Sequence, residues 1–163
     1  RFLALTDPLT GLANPALFND RLDTALRTAR RHNSTLALLF LDIDDFKGIN
    51  DVHGHAAGDR VLSTIARRLE GCVRETDTVA RMGGDEFTVL LTDIQSEGAV
   101  SETVARILAV MAEPLDAESG AVKMPSCSIG IACYPADGED ADTLLSQADD
   151  DMYRIKRQRS GAG

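Results

Sequence analysis

Three short stretches of this sequence hold more polar side chains than a core or a simple turn requires. They are Asp42-Ile43-Asp44-Asp45-Phe46-Lys47-Gly48-Ile49-Asn50-Asp51, Gly54-His55-Ala56-Ala57-Gly58-Asp59, and Arg81-Met82-Gly83-Gly84-Asp85-Glu86-Phe87. Carboxylates held close together repel unless a cation neutralises them, and hard oxygen ligands with room left for water and phosphate suit magnesium. Asp42 closes an apolar run and Asp85-Glu86 follow paired glycines, so the three become neighbours if their two segments adjoin in a sheet. The glycines also let a ligand approach the backbone. For this set, metal binding is the stronger reading, and it implies phosphoryl transfer, in which a metal offsets charge and positions the attacking oxygen. Taken alone, Asp44, Asp45 or Asp51 is better read as a solvated loop acid. His53 and His55 lie two apart, not at the spacing of a helical metal pair, so no zinc is assigned. No GxxxxGK[ST] run is present, which disfavours a P-loop NTPase.

The elements that must position these residues follow from hydrophobic period. Phe18, Leu22, Ala25 and Ala29 recur at spacings of three and four between Asn14 and Arg31, which predicts an amphipathic helix. Leu36 to Leu41 is an unbroken apolar run, the pattern of a central strand buried on both faces, and it places Asp42 at the strand's C-terminal end. A second helix is expected over about Gly58 to Val73, with Val61, Ile65, Leu69 and Cys72 on one face. Thr78 to Met82 and Phe87 to Leu91 are β-prone runs joined through Gly83 and Gly84, hence a hairpin whose turn bears Asp85 and Glu86. A third helix through Val104, Ile107, Leu108 and Met111 stops near Pro114. A strand follows, alternating Cys127, Ile129, Ile131 and Cys133 with small residues, and a last helix uses Leu145, Ala148, Met152 and Ile155. The hairpin demands an antiparallel pair, so the expectation is a mixed, mostly antiparallel sheet backed by helices.

The chain has 163 residues, 44% of them hydrophobic, enough for one sizeable core, and is read as a single domain over residues 1–163. A formal net charge of -9 without any Lys/Arg run argues against a DNA or RNA surface. No apolar stretch reaches the roughly 18 to 20 residues of a membrane span, so direct membrane insertion is not expected. Cys72, Cys127 and Cys133 sit in apolar patterns without CxxC spacing and read as reduced thiols of a cytoplasmic domain. The chain opens on Arg1-Phe2-Leu3-Ala4-Leu5 as if mid-helix and closes on Ser160-Gly161-Ala162-Gly163, the pattern of a module from a longer signalling protein that could itself be membrane-anchored.

Gly83-Gly84-Asp85-Glu86-Phe87 spells the name-giving motif of the GGDEF family of diguanylate cyclases, preceded by its usual arginine, Arg81. Asp7-Pro8-Leu9-Thr10-Gly11-Leu12-Ala13-Asn14 resembles the family's opening DxLTGLxN, and Asp42 through Asp59 its DxDxFKxINDxxGHxxGD segment. Ser128-Ile129-Gly130-Ile131-Ala132 resembles its SxGIA strand, and Ala148-Asp149, Met152-Tyr153 and Lys156 its closing helix, so the resemblance spans nearly the whole chain. It implies an α/β (α+β) fold with a five-stranded, mostly antiparallel central sheet surrounded by helices, akin to adenylyl cyclase and polymerase palms. It further implies condensation of two GTP into cyclic di-GMP by a homodimer. Asp42, the Ile43 carbonyl and Asp85 would hold Mg2+, with Mn2+ an alternative, and Glu86 would assist at a second metal. Asp85 would double as the base for the attacking 3′-hydroxyl. Asn50 and Asp59 would read the guanine edge, an amide and a carboxylate meeting its donors and acceptors. His55 sits near that site in the family, although a lone histidine orients a loop as readily. Phe46, Lys47, Arg81 and Lys156 would line the phosphates, and a surface strand cation is the competing reading of Arg81.

Arg74-Glu75-Thr76-Asp77 stands where the family carries an inhibitory RxxD site that binds product, and Arg106 resembles that site's second arginine. Otherwise these four residues are a polar turn. The sequence departs from the family at Pro15, at Asp151, where alanine is common, and after Lys156, where Arg157-Gln158-Arg159-Ser160 replaces Gly-Arg-Asn. The competing function is a catalytically inactive module that binds GTP or cyclic di-GMP, which has no need of a metal cluster. The input would come from an upstream sensory domain not in this chain.

Overall fold

The computed structural model describes residues 4–115 and 122–161. Helix α1 spans Pro15–His32. Asn14 caps it by accepting from the Leu17 N–H at 3.0 Å, and Pro15 fills a first-turn position where no N–H is needed. The helix ends at Asn33, whose φ of 52° lets its N–H turn back to the Ala29 carbonyl. Its buried stripe is Phe18, Leu22, Leu26 and Ala29, so Leu26 takes the place expected for Ala25.

Strand β1 (Leu36–Ile43) lies between β3 (Glu86–Leu91) and β4 (Cys127–Tyr134), and β2 (Thr78–Arg81) pairs with β3. The order is β2-β3-β1-β4, and every pairing is antiparallel. Among the described residues the sheet has four strands, not the five expected. Beside β2, instead of a fifth strand, lies the Thr6–Ala13 turn, held through single bridges from Thr6 to Ala13 and from Ala13 to Ala80.

β1 is buried on both faces. Ala37, Leu39, Leu41 and Ile43 meet a core with Val61, Ile65 and Leu69 of α3 (His55–Gly71) and Ile107 of α4 (Glu97–Met111), while Leu36 and Leu38 meet Phe18 and Leu22 of α1. That second core also holds Leu144 and Ala148 of α5 (Ala141–Gly161), which lies almost in backbone contact with β4: a Cβ on Gly130 would come within 2.1 Å of the Ala148 carbonyl oxygen and 2.2 Å of the Met152 nitrogen. Only glycine permits this approach.

Two elements differ from expectation. The polar stretch after Asp42 contains a helix, α2 (Phe46–His53), opened by Asp45 at a φ of 52°. The helix expected from Gly58 begins earlier, at His55. Ala4 and Leu5 are not helical, and Arg1 to Leu3 lie outside the described residues. The predicted C-terminal tail is helical through Gly161, with Ala162 and Gly163 outside the described residues. All three cysteines are free, Cys72 and Cys127 buried and Cys133 half-buried. Burial, with Asp44 nearby, pushes the Cys127 thiol up to about 11, so it stays protonated. No helix among the described residues is long and apolar enough to cross a membrane.

Candidate active site

The β1–β3 register makes Asp42 and Glu86 direct cross-strand partners, and the Ile43 N–H donates to the Asp85 carbonyl at 3.2 Å. The hairpin turn is closed by Met82 and Gly83 N–H groups on the Glu86 carbonyl, at 2.8 and 3.4 Å. A Cβ on Gly83 would stand 2.8 Å from Glu86 Oε1, so the glycine leaves that carboxylate its place.

Three acids thus gather at one end of the sheet. Burial raises the Asp85 pKa, helped by the nearby Asp42 charge; burial and the charges of Asp42, Asp85 and Asp149 raise that of Glu86. Lys156 Nζ, on α5, donates to Asp42 Oδ2 at 2.5 Å. Burial lowers the Lys156 pKa, and the hydrogen bond and charge of Asp42 more than offset it, so the ammonium is held charged. Among the described residues Asp42 Oδ1 is buried with no hydrogen-bond partner.

A buried carboxylate oxygen without a protein partner, beside a second carboxyl whose pKa burial raises, is a place that a hard cation could occupy. The donor set fits Mg2+, which takes one or two carboxylates and leaves its other positions to water and phosphate. Among the described residues no three His, Cys, Asp or Glu side chains converge as a ready-made metal cage.

The second polar stretch lies alongside the first because α2 packs on the start of α3. Asn50 folds over Gly58: a Cβ there would meet Asn50 Oδ1 at 2.0 Å and Phe46 Cζ at 3.1 Å. Asn50 and Phe46 are half-buried, while Lys47, His55 and Asp59 are exposed.

Arg81, expected to line the phosphates, is engaged with protein groups in this structure. Nη1 donates to both Asp7 carboxylate oxygens at 3.2 Å, and Nε and Nη2 donate to the Gly83 and Gly84 carbonyls at 2.9 to 3.2 Å. The guanidinium therefore fixes the hairpin turn to the N-terminal turn and acts as a positioning group. Sequence reasoning gave Asp7 no role; its signal was Thr10, whose N–H and hydroxyl both donate to Asp7 Oδ2. Burial pulls the Asp7 pKa up, but these bonds and Arg81 outweigh it and leave the carboxyl below its ordinary value. Its stabilising contribution is then present above the ordinary carboxylate pKa and lost as pH falls through the lowered one. Asp7→Ala should cost roughly 1.5 to 3 kcal/mol near neutral pH, and thermal melts should show the gap to wild type closing in acid. A gap independent of pH would refute the pairing.

Arg74 and Asp77 stand apart from the acids. The Asp77 side chain is 2% exposed, and its carboxylate accepts from the Arg74 backbone N–H at 2.9 Å, from Arg74 Nε and Nη2 at 3.3 and 3.2 Å, and from the Thr92 N–H at 3.1 Å. Arg74 Nη2 also meets the Thr92 carbonyl. Arg106 donates to the Cys72 carbonyl at 2.8 Å, and all three line one cavity of about 250 Å³. A larger cavity of about 800 Å³ lies elsewhere, between α1 and the far end of the sheet, lined by Thr24, Thr28, Thr78 and Thr92 among others; it touches none of the acids.

At the end of an antiparallel sheet, then, carboxylates meet the Lys156 ammonium, with the polar helix α2 packed on α3. The family described as "Diguanylate cyclase, GGDEF domain" matches residues 4–162, and the chain belongs to it. The diguanylate cyclase TpbB of Pseudomonas aeruginosa is 47% identical over 96% of this chain and 36% of its own length. The chain thus spans about a third of that relative. A solved structure of the TpbB GGDEF domain is 48% identical and superposes with a TM-score of 0.90 over 94% of this chain and 89% of that one. The GGDEF domain of DgcB from Caulobacter crescentus, solved in complex with c-di-GMP, is 32% identical, with a TM-score of 0.85 over 97% and 93% of the two chains.

Proposed function

We propose that this chain is the cyclase domain of a longer signalling protein and condenses two GTP into cyclic di-GMP with release of pyrophosphate. The observation that carries the reading is the cross-strand pairing of Asp42 with Glu86 at the sheet end, with Asp85 next in sequence and Asp42 Oδ1 buried and unpartnered among the described residues. Asp42, the Ile43 carbonyl and Asp85 would hold Mg2+ or Mn2+, with Glu86 assisting. The metal supplies charge neutralisation at the phosphates and positions the attacking oxygen. Asp85, its pKa already raised, accepts the proton of the 3′-hydroxyl. Lys156 passes from Asp42 to the phosphates as nucleotide enters, Lys47 at the start of α2 meets them from the other side, and Asn50 and Asp59 take the guanine edge beside His55. One seat holds one GTP, so two copies must face each other for each 3′-hydroxyl to reach the other's α-phosphate.

Incubating the purified chain with GTP and Mg2+ and chromatographing the products tests this reading. Cyclic di-GMP is the expected product, formed at second order in protein at low concentration. Nucleotide recovered unchanged from a chain that binds it would favour a regulatory module instead.

Product inhibition belongs to the same proposal. In this state Arg74 is turned onto Asp77 and the Thr92 carbonyl, so ligand would draw the guanidinium outward into the cavity it shares with Arg106. Arg74→Ala should weaken cyclic di-GMP binding about tenfold or more, because bonds to a charged group contribute roughly 1.5 to 3 kcal/mol. Inhibition in wild type should be non-competitive with GTP. Equal calorimetric affinity in both proteins would reduce Arg74 and Asp77 to a polar turn.

A further inference from the structure

We infer that Arg159, locked onto Asp44, is a positioning residue that sets the register of α5 and thereby delivers Lys156 to the active site. Arg159 belongs to the C-terminal stretch that departs from the family pattern, and Asp44 read as a solvated loop acid. The structure joins them. Arg159 Nη1 donates to Asp44 Oδ2 at 2.9 Å and to the Cys127 carbonyl at 2.7 Å. Ser126 and Ser128 hydroxyls donate to the same carboxylate at 2.7 and 2.9 Å, and the Asp44 N–H donates to the Ser126 carbonyl at 2.9 Å. One guanidinium therefore ties the end of α5 to the segment just past β1 and to the first residue of β4.

Lys156 lies one turn earlier on the same helix, and residues three apart share a helix face. Asp42 lies two residues before Asp44. Two ion pairs thus run side by side from α5: Lys156 to Asp42, which needs freedom to exchange for phosphate, and Arg159 to Asp44, whose carboxylate two serines also hold while Arg159 bonds the Cys127 carbonyl. The other departure on this helix, Asp151, anchors it on the near side of Lys156, its carboxylate accepting from the Ile131 N–H of β4 at 2.9 Å. Gly130 brings the helix backbone down at Ala148 and Met152, beside the Asp151 tether. A long cation anchored on both sides along its helix reaches its target with little search, whereas slippage of the helix end by a fraction of a turn would carry the ammonium away from the seat.

This inference rests on the proposed GTP site, and the test separates the two. GTP affinity is measured by calorimetry with Ca2+ in place of Mg2+, to hold back turnover, for wild type, Arg159→Ala, Lys156→Ala and the double variant. Arg159→Ala should weaken GTP about tenfold in the wild-type background and less than twofold in the Lys156→Ala background, the non-additivity expected when one residue acts through another. Arg159→Lys keeps the charge and should recover part of the loss. Thermal melts of all variants run alongside, and a merely structural Arg159 would shift the melting temperature equally in both backgrounds while its affinity losses multiplied. Multiplying losses, or no loss in Arg159→Ala, overturns the positioning role while leaving the GTP site standing. GTP binding without product formation in Mg2+ rejects the cyclase reading and leaves the cycle readable. A wild-type chain that binds no GTP removes both.

Discussion

Replacing Asp85 by asparagine is expected to cut cyclic di-GMP synthesis by about a thousandfold or more, since metal stabilisation of transition-state charge is worth several kcal/mol and each 1.36 kcal/mol is about tenfold in rate. The same loss is expected for Asp42→Asn, but the two variants should part company in stability. Asp85 is half-buried near the Asp42 charge, so removing its own charge relieves a repulsion, and its melting temperature should hold or rise. Asp42 carries the Lys156 ion pair, and its neutralisation strands a half-buried ammonium, so its melting temperature should fall. The pH dependence follows in sign. A carboxyl whose folded pKa is raised contributes stability below its unfolded pKa, and that contribution is lost as pH rises through the raised value. The stability advantage of Asp85→Asn over wild type should therefore grow from acid toward neutral pH in metal-free buffer. Added Mg2+ should shrink it, because only wild type binds the ion tightly. Near wild-type synthesis in both variants would dismiss the metal seat altogether.

ATP should be turned over at least about a hundredfold less efficiently than GTP, because a site built to hydrogen-bond one base edge leaves buried polar groups unpaired against another, at about 1 to 3 kcal/mol each. The structural arm of this expectation is Gly58. Asn50 Oδ1 occupies the space that any side chain at Gly58 would need, so Gly58→Ala must displace the Asn50 amide. GTP efficiency should fall steeply in that variant while the already poor rate with ATP changes little, collapsing the selectivity. Rates with both nucleotides in wild type and Gly58→Ala decide the matter, and comparable turnover of ATP and GTP by wild type would remove Asn50 and Asp59 from base recognition.

The local sequence announced most of the scaffold. The apolar run of β1 and the stripes of α1, α3 and α5 are periodic, and period is a property of backbone geometry that residues carry without knowing their neighbours. The glycine pair with its acids marked the hairpin, and once β1 and β3 adjoin, Asp42 must face Glu86. Helix α2 escaped notice because none of its residues is buried, it opens on a left-handed aspartate, and its length of eight residues offers one short apolar pair, Phe46 and Ile49; its position depends on α3. The strand count came out one too high because a resemblance transfers an architecture, whereas pairing at an edge depends on which segment lies there.

By itself, then, the sequence determined the family, most of the helices and strands, and the acids that meet at the sheet end. What only the tertiary structure decided is what each cation does: Arg81 fixes a turn by reaching Asp7 across 74 residues, Lys156 reaches Asp42 across 114, and Arg159 reaches Asp44 across 115. Charge is written in the sequence, but the partner of a charge is set by strand register and by how closely a helix can approach a sheet, here through Gly130, and no local pattern encodes either.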